Sequence, residues 1–254
     1  MGAGPFGAQF DLVFKTIEEA GVVLGMHTFP SPLAMGIDPG ATAWSPGDYV
    51  ERSGMGTGRT VVSSTFSFVF EAMAWLGQVL LSGMLDRYPK LKMAIFESNA
   101  TWLPSMLEHC DRLFKLYANE RKFNAKRLPS EAFYEQCIIS FEAEEDMVFR
   151  QYEQFENVGV WASDVYHPDA AEAWEAIRHM RQNEVPQSVQ EKLMGANARR
   201  FYGIPGKLFT TEQKSLDRPQ WFPKEGEEFD KWWEMEAHPR DHQSAGGKQS
   251  GPAY

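Results

Sequence analysis

Apolar residues recur at helical spacing from Phe10 to Ala20 (FDLVFKTIEEA), and Gly21 follows as a residue suited to ending a helix. The short apolar run Val22–Met26, closing on His27, predicts a buried strand. Residues 28–66 are rich in Gly, Pro, Ser and Thr with little periodicity, which predicts a long loop; such loops inside compact domains are usually functional. Ala72–Leu85 is apolar on nearly every side and predicts a buried helix running to about Tyr88 and stopped by Pro89. It is shorter than the roughly 18–20 residues that span a bilayer. Met93–Phe96 predicts a second strand with Glu97 just past its end, and Thr101 to about Asn119 an amphipathic helix with Thr101 as N-cap and Pro104 in its first turn. Cys137–Phe141 (CIISF) predicts a third strand. The acidic run Glu142–Asp146 after it reads as a helix start, with Glu142 the one member placed to face a pocket. Val158–Ala162 predicts a fourth strand, ending at Ser163-Asp164, and helices follow at about 169–182 and 187–202, the second closing at Gly203.

Short apolar strands alternating with helices imply βαβ units and a parallel sheet. After Pro205 the composition changes to Lys, Glu, Gly, Pro and Gln with scattered Trp221, Trp232 and Trp233. We therefore expect a domain over residues 1–205 and an extension over 206–254. The extension should be partly disordered near its end, with the tryptophans docking another part of it onto the body.

Composition narrows the partners. The chain has 254 residues, 43% of them hydrophobic, enough for a sizeable core. Its 35 acidic against 25 basic residues leave a net charge of −10, which disfavours nucleic acid and anionic membrane surfaces. The first basic residue is Lys15, so no positively charged leader precedes an apolar stretch. Cys110 and Cys137, without a CxxC, exclude a disulfide framework and fit a reducing compartment, so the expected location is cytoplasmic.

The candidate chemistry is positional. His27, Glu97 and Asp164 each fall at or just beyond the C-terminal end of a predicted strand, the edge that carries the chemistry of parallel α/β proteins. Imidazole and carboxylate from different strands can converge on zinc or a related divalent ion. Each residue also fits a plainer role: His27 as a packed or solvated loop residue, Glu97 as a turn carboxylate, Asp164 as an anion at a helix start. The glycine-rich Gly54–Arg59 lacks a GK[ST] ending and a preceding strand, so it is not a phosphate loop. There is no GxSxG elbow; His109, the neighbour of Cys110, points elsewhere on its helix, and both His109 and His179 read as structural.

Four segments, GVVLGMHT (21–28), RYPKLKMAIFESNATWLPSMLEHCDRL (87–113), WASDVYHPDA (161–170) and GANARRFYGI (195–204), resemble in order and spacing the amidohydrolase-related family. That family, typified by aminocarboxymuconate-semialdehyde decarboxylase, comprises metal-dependent hydrolases and decarboxylases on a distorted (β/α)8 barrel. The resemblance covers roughly residues 8–205. It implies that His27 is the metal-binding His of the fifth barrel strand. Asp164 becomes the Asp of the eighth, which binds metal and can accept a proton from bound water. His167 and Pro168 match the loop after it, His167 facing the substrate. Trp102, Leu103 and Pro104 match a structural signature, and Asn197–Tyr202 a closing helix. Where decarboxylase members carry a catalytic His at the end of the sixth strand, this chain carries Glu97, as in another branch.

The family's HxH pair occurs nowhere in the chain, and the first strand found here matches the fifth. The resemblance thus implies an α/β fold, an incomplete TIM-like (β/α)8 barrel of about four C-terminal βα units plus an extended tail. Open sheet edges of that kind need a covering surface, expected from a homo-oligomer or from a separate N-terminal half. The implied function is a metal-dependent hydrolase or carboxy-lyase acting on a small aromatic or carboxylated substrate. Zinc is the expected ion, held by His27 and Asp164, with Asp164 and Glu97 catalytic. Arg59 is expected to clamp a substrate carboxylate, although it also reads as a solvated loop cation. The alternative is a non-catalytic module that retains the scaffold.

Overall fold

Helix α1 (Asp11–Ala20) ends at Gly21, whose left-handed φ of 65° lets its N–H reach Glu18 O at 3.1 Å while Val22 N–H reaches Ile17 O at 3.2 Å. This turn launches strand β1 (Val23–His27). The computed structural model describes residues 10–27, 65–66, 68–119, 125–165, 167 and 171–205. Residues 28–64 of the expected loop, Arg59 within it, Pro168, and the extension with Trp221, Trp232 and Trp233 lie outside the described residues.

The apolar segment expected as one helix is two, α2 (Phe68–Leu81) and α3 (Met84–Arg87). Gly83 breaks it by turning left-handed at φ 69°, and the Ser82 hydroxyl caps both sides, donating to Val79 O and accepting from Met84 N–H. Strand β2 (Lys92–Phe96) precedes α4 (Leu103–Leu116), which starts two residues later than expected. Thr101 is not its N-cap: Trp102 holds that position, and the Thr101 N–H is taken by the carboxylate of Glu145. The chain continues through α5 (Pro129–Gln136) and β3 (Cys137–Phe141), then the short helices α6 (Asp146–Arg150) and α7 (Tyr152–Phe155). Strand β4 (Gly159–Trp161) leads to α8 (Ala173–Gln182) and α9 (Gln187–Glu191). A π-type turn over Lys192–Ala196 joins α9 to α10 (Asn197–Tyr202), which Gly203 closes at φ 66°.

The four strands form one parallel sheet in the order β1-β2-β3-β4. Sequential order with helical crossovers places every strand's C-terminal end at the same edge. Alternation sends Met93, Ile95, Cys137, Ile139 and Phe141 to one face, where they pack with the helices in the main core. Ala94, Ile138 and Val160 point to the other face and pack with Phe201 of α10. Lys92 supports that contact, its ammonium donating to Phe201 O at 2.6 Å and lying 5.4 Å from the ring centroid. Gly159 is required by close packing: a Cβ there would sit 2.9 Å from Leu193 and 3.0 Å from the Phe155 carbonyl.

Contacts divide the chain at Ile204–Pro205, and each described residue up to 204 belongs to the first unit. No helix among the described residues is long and apolar enough to cross a membrane.

A polar clamp ties α3, α5 and the segment between α4 and α5. Asp86 accepts Lys126 N–H at 2.5 Å and Arg127 Nε at 2.7 Å, and Arg127 also donates to Leu85 O and Gln136. Burial pushes the Asp86 carboxyl up, but these donors and the guanidinium charge outweigh it and hold it below the ordinary carboxylate range. A folded-state value below the unfolded one stabilises above the unfolded pKa of about 4, and the stabilisation is lost as pH falls through the folded value. We therefore expect Asp86→Asn to lower stability at neutral pH and to flatten its fall below about pH 4. Urea midpoints at pH 7 and pH 3 check this; parallel pH profiles for the two proteins would refute it.

Candidate metal centre

Because the strands are parallel and adjacent, the residues at their C-terminal ends share one rim. His27 is the last residue of β1, Glu97 follows β2, Glu142 follows β3, and Asp164 lies three residues beyond β4. They surround a cavity of about 160 Å³ whose polar wall is His27, Glu97, Asn99, Ser140, Glu142 and Asp164. Phe96, Phe141 and Ala162 supply its apolar side.

Glu97, Asp164 and His167 each direct one donor atom to within 4.8 Å of the others. Asp164 Oδ2 lies 2.7 Å from His167 Nδ1, and Glu97 Oε2 lies 2.5 Å from His27 Nε2. The three expected strand-end residues thus meet at one cavity. His27 touches the donor group through Glu97, and His167, expected at the substrate, stands at ligand distance. Glu97 is the most sheltered of the four, with 19% of its side chain exposed.

The rim backbone is strained. Glu97, Asn99 and Asp164 adopt left-handed φ values of 50°, 54° and 47°; the only other described non-glycine residue there is Glu184. Such conformations cost on the order of 1–3 kcal/mol each and persist only where neighbours enforce them. Here the Ser140 hydroxyl accepts Glu97 N–H at 3.2 Å, and the Trp102 indole N–H is shared by Ser98 O at 2.8 Å and Asn99 O at 2.9 Å. His167 N–H closes a turn onto Asp164 O at 2.9 Å.

Sequence reasoning passed over Phe96, Asn99, Ser140 and Glu145. The first and third were discoverable: strand alternation puts Phe96 and Ser140 on the sheet face opposite the main core. Asn99 and Glu145 carry no such periodic signal. Of the acidic run, Glu142 faces the cavity as expected. Asp146 pairs with His179 at 2.9 Å, and its carboxyl is held low by that hydrogen bond.

Two carboxylates and one imidazole, with the solvent side open, form a donor set that suits a divalent ion of the zinc or manganese type. The cysteines contribute nothing to it. Cys110 and Cys137 are both buried away from the rim, and burial pushes the Cys137 thiol up.

Similarity to known proteins agrees with this architecture. A family model described as amidohydrolase matches residues 1–204. No curated protein matches the chain. Among solved structures, 5-carboxyvanillate decarboxylase from Sphingomonas paucimobilis has 22% identity and a TM-score of 0.59, covering 79% of this chain and 55% of its own. Dihydroxybenzoic acid decarboxylase from Polaromonas sp. JS666, solved with manganese and 2-nitroresorcinol, has 16% identity and a TM-score of 0.55, covering 78% and 55%. The amidohydrolase map2389c from Mycobacterium avium subsp. paratuberculosis K-10 has 16% identity and a TM-score of 0.59, covering 78% and 47%. The chain therefore spans about half the length of these solved proteins, and the shared feature is the fold, here a partial barrel of four parallel βα units. With the family model matched over residues 1–204, the chain belongs to the amidohydrolase family.

Proposed function

We propose that this chain carries the divalent-metal site of a carboxy-lyase or hydrolase acting on a small aromatic or carboxylated substrate. The observation that carries the reading is the convergence of Glu97, Asp164 and His167 donors within 4.8 Å at the C-terminal rim of the parallel sheet. Support also comes from the fold shared with decarboxylases of aromatic carboxylates, one of them solved with manganese. Zinc and manganese both suit the donors.

In this reading Glu97, Asp164 and His167 hold the ion, which when bound acts as a Lewis acid toward an oxygen of the substrate or of water. Asp164 accepts a proton at Oδ2, and His167 Nδ1, 2.7 Å away, holds that carboxylate in place. His27 Nε2 does the same for Glu97 Oε2 and presents an imidazole edge to the cavity. Phe96, half-buried on the other face of the sheet, offers an apolar surface against which an aromatic ring can lie, excluding water from that side. The cavity of about 160 Å³ is of a size for one small ring.

Two measurements on the full chain test this. Calorimetric titration with Mn²⁺ and Zn²⁺ should give one ion per chain. Incubation of the metal-loaded protein with hydroxybenzoates and with small carboxylate esters and amides should show metal-dependent release of carbon dioxide or of a hydrolysis product. Absence of stoichiometric binding for both ions would refute the reading.

A further inference from the structure

Glu145 lies at the N-cap of α6 yet gives no side-chain bond to that helix. Its carboxylate turns inward instead, leaving the residue 8% exposed. One oxygen, Oε2, accepts Ala100 N–H at 2.8 Å and Thr101 N–H at 3.2 Å. The other, Oε1, accepts Glu142 N–H at 3.0 Å. The side chain thereby joins the loop after β2, which carries Glu97 and Asn99, to the loop after β3, which carries Glu142. We propose that Glu145 is a positioning residue for the rim, its buried carboxylate fixing both loops so that Glu97 and Glu142 face the same cavity.

Several features single out this side chain. Only two residues lie between Glu97 and Ala100, and two of the four in this segment, Glu97 and Asn99, are left-handed. The Ser140 hydroxyl pins Glu97 at one end of the segment, and Glu145 pins Ala100 at the other. Ala100 is fully buried, so its N–H has no water to turn to if Glu145 is lost. A carboxylate suits the place because it presents acceptor lone pairs on both oxygens. Glutamine would offer acceptor pairs on one side and an NH₂ facing an N–H on the other. Burial pushes the Glu145 carboxyl up while the N–H donors pull against it, as expected of a carboxylate sheltered by backbone donors.

The consequence for metal rests on the cation-site reading above; the fixing of the loops does not. Native-state amide exchange on the ¹⁵N-labelled full chain reads the loops directly. In the wild type, the Ala100 and Glu142 amides should be protected. In Glu145→Gln, the Glu97 amide, which Glu145 does not touch, should exchange at least tenfold faster while the core amides of Ile95 and Ile139 keep their rates. Calorimetry with Mn²⁺ as probe should then show affinity lowered about tenfold in Glu145→Gln, the scale expected when a ligand's support is removed. A role in fold stability alone would move the core amides together with Glu97 and leave Mn²⁺ affinity of the folded fraction unchanged. An unchanged Glu97 rate in the variant, or unprotected Ala100 and Glu142 in the wild type, would overturn the proposal. The wild-type protection needs no variant, so it decides the matter even if Glu145→Gln does not fold. A wild type that ignores Mn²⁺ would remove the cation site while the exchange rates still judge Glu145.

Discussion

Asp164→Asn should weaken divalent-metal binding at least 100-fold while leaving the protein folded. The substitution keeps side-chain shape and removes the charge. Asparagine tolerates a left-handed backbone at least as well as aspartate, so the φ of 47° at this position gives it no reason to destabilise. The side chain is 34% exposed, and His167 Nδ1, 2.7 Å from it, is itself at the surface. A stability change within about 1 kcal/mol is expected on those grounds. The ion, by contrast, loses one of two anionic ligands and the group that orients His167. A loss of at least 100-fold in Mn²⁺ affinity, about 2.7 kcal/mol, should follow. Thermal melting beside calorimetric titration separates the two effects. A variant binding within threefold of wild type would exclude Asp164 as a ligand.

Phe141→Ala should do the opposite, costing about 3–5 kcal/mol of stability. Phe141 ends β3 with 1% of its surface exposed, on the sheet face that packs against the helices. Its ring meets the fully buried Phe149 of α6 edge to face, with centroids 5.6 Å apart and planes at 86°. Removing the ring leaves a cavity that the fixed strand cannot close, since β3 is hydrogen-bonded on both sides. The pair itself should contribute about 0.5–1.5 kcal/mol, readable from a double-mutant cycle in which each Phe is replaced by Leu. Urea unfolding gives both numbers. A cost below 1 kcal/mol for Phe141→Ala would mean that this corner of the core is not packed as described.

These two outcomes reflect a division between layers that the sequence reveals unevenly. The strand positions were legible because each is a short apolar run bounded by polar or turn residues, as in CIISF over Cys137–Phe141. Gly21 and Gly203 were legible helix ends because a left-handed closing turn favours glycine. The break at Gly83 was not, since the apolar run resumes directly after Ser82 and Gly83, and the turn needs only one residue at positive φ. The start of α4 was misplaced because Glu145, distant in sequence, competes for the N–H groups that a local cap would have served. A long-range acceptor leaves no periodic trace.

The same contrast holds at the rim. His27, Glu97 and Asp164 could be picked out from strand-end position, and parallel topology then brings them to one edge. What position alone leaves open is which atoms meet. The structure pairs His27 with Glu97 and gathers Glu97 with Asp164 and His167, an arrangement set by three left-handed residues and the hydrogen bonds that enforce them. Those conformations depend on Ser140, Trp102 and Glu145, residues whose roles emerge only once the loops are folded.

The most direct test is anomalous diffraction from a crystal of the full chain grown with Mn²⁺. The account predicts one strong peak within coordination distance of Glu97, Asp164 and His167 carboxylate or imidazole atoms. A rim without a peak, in a crystal whose wild-type side chains are otherwise placed as here, would contradict it, as would an ion bound elsewhere on the chain instead.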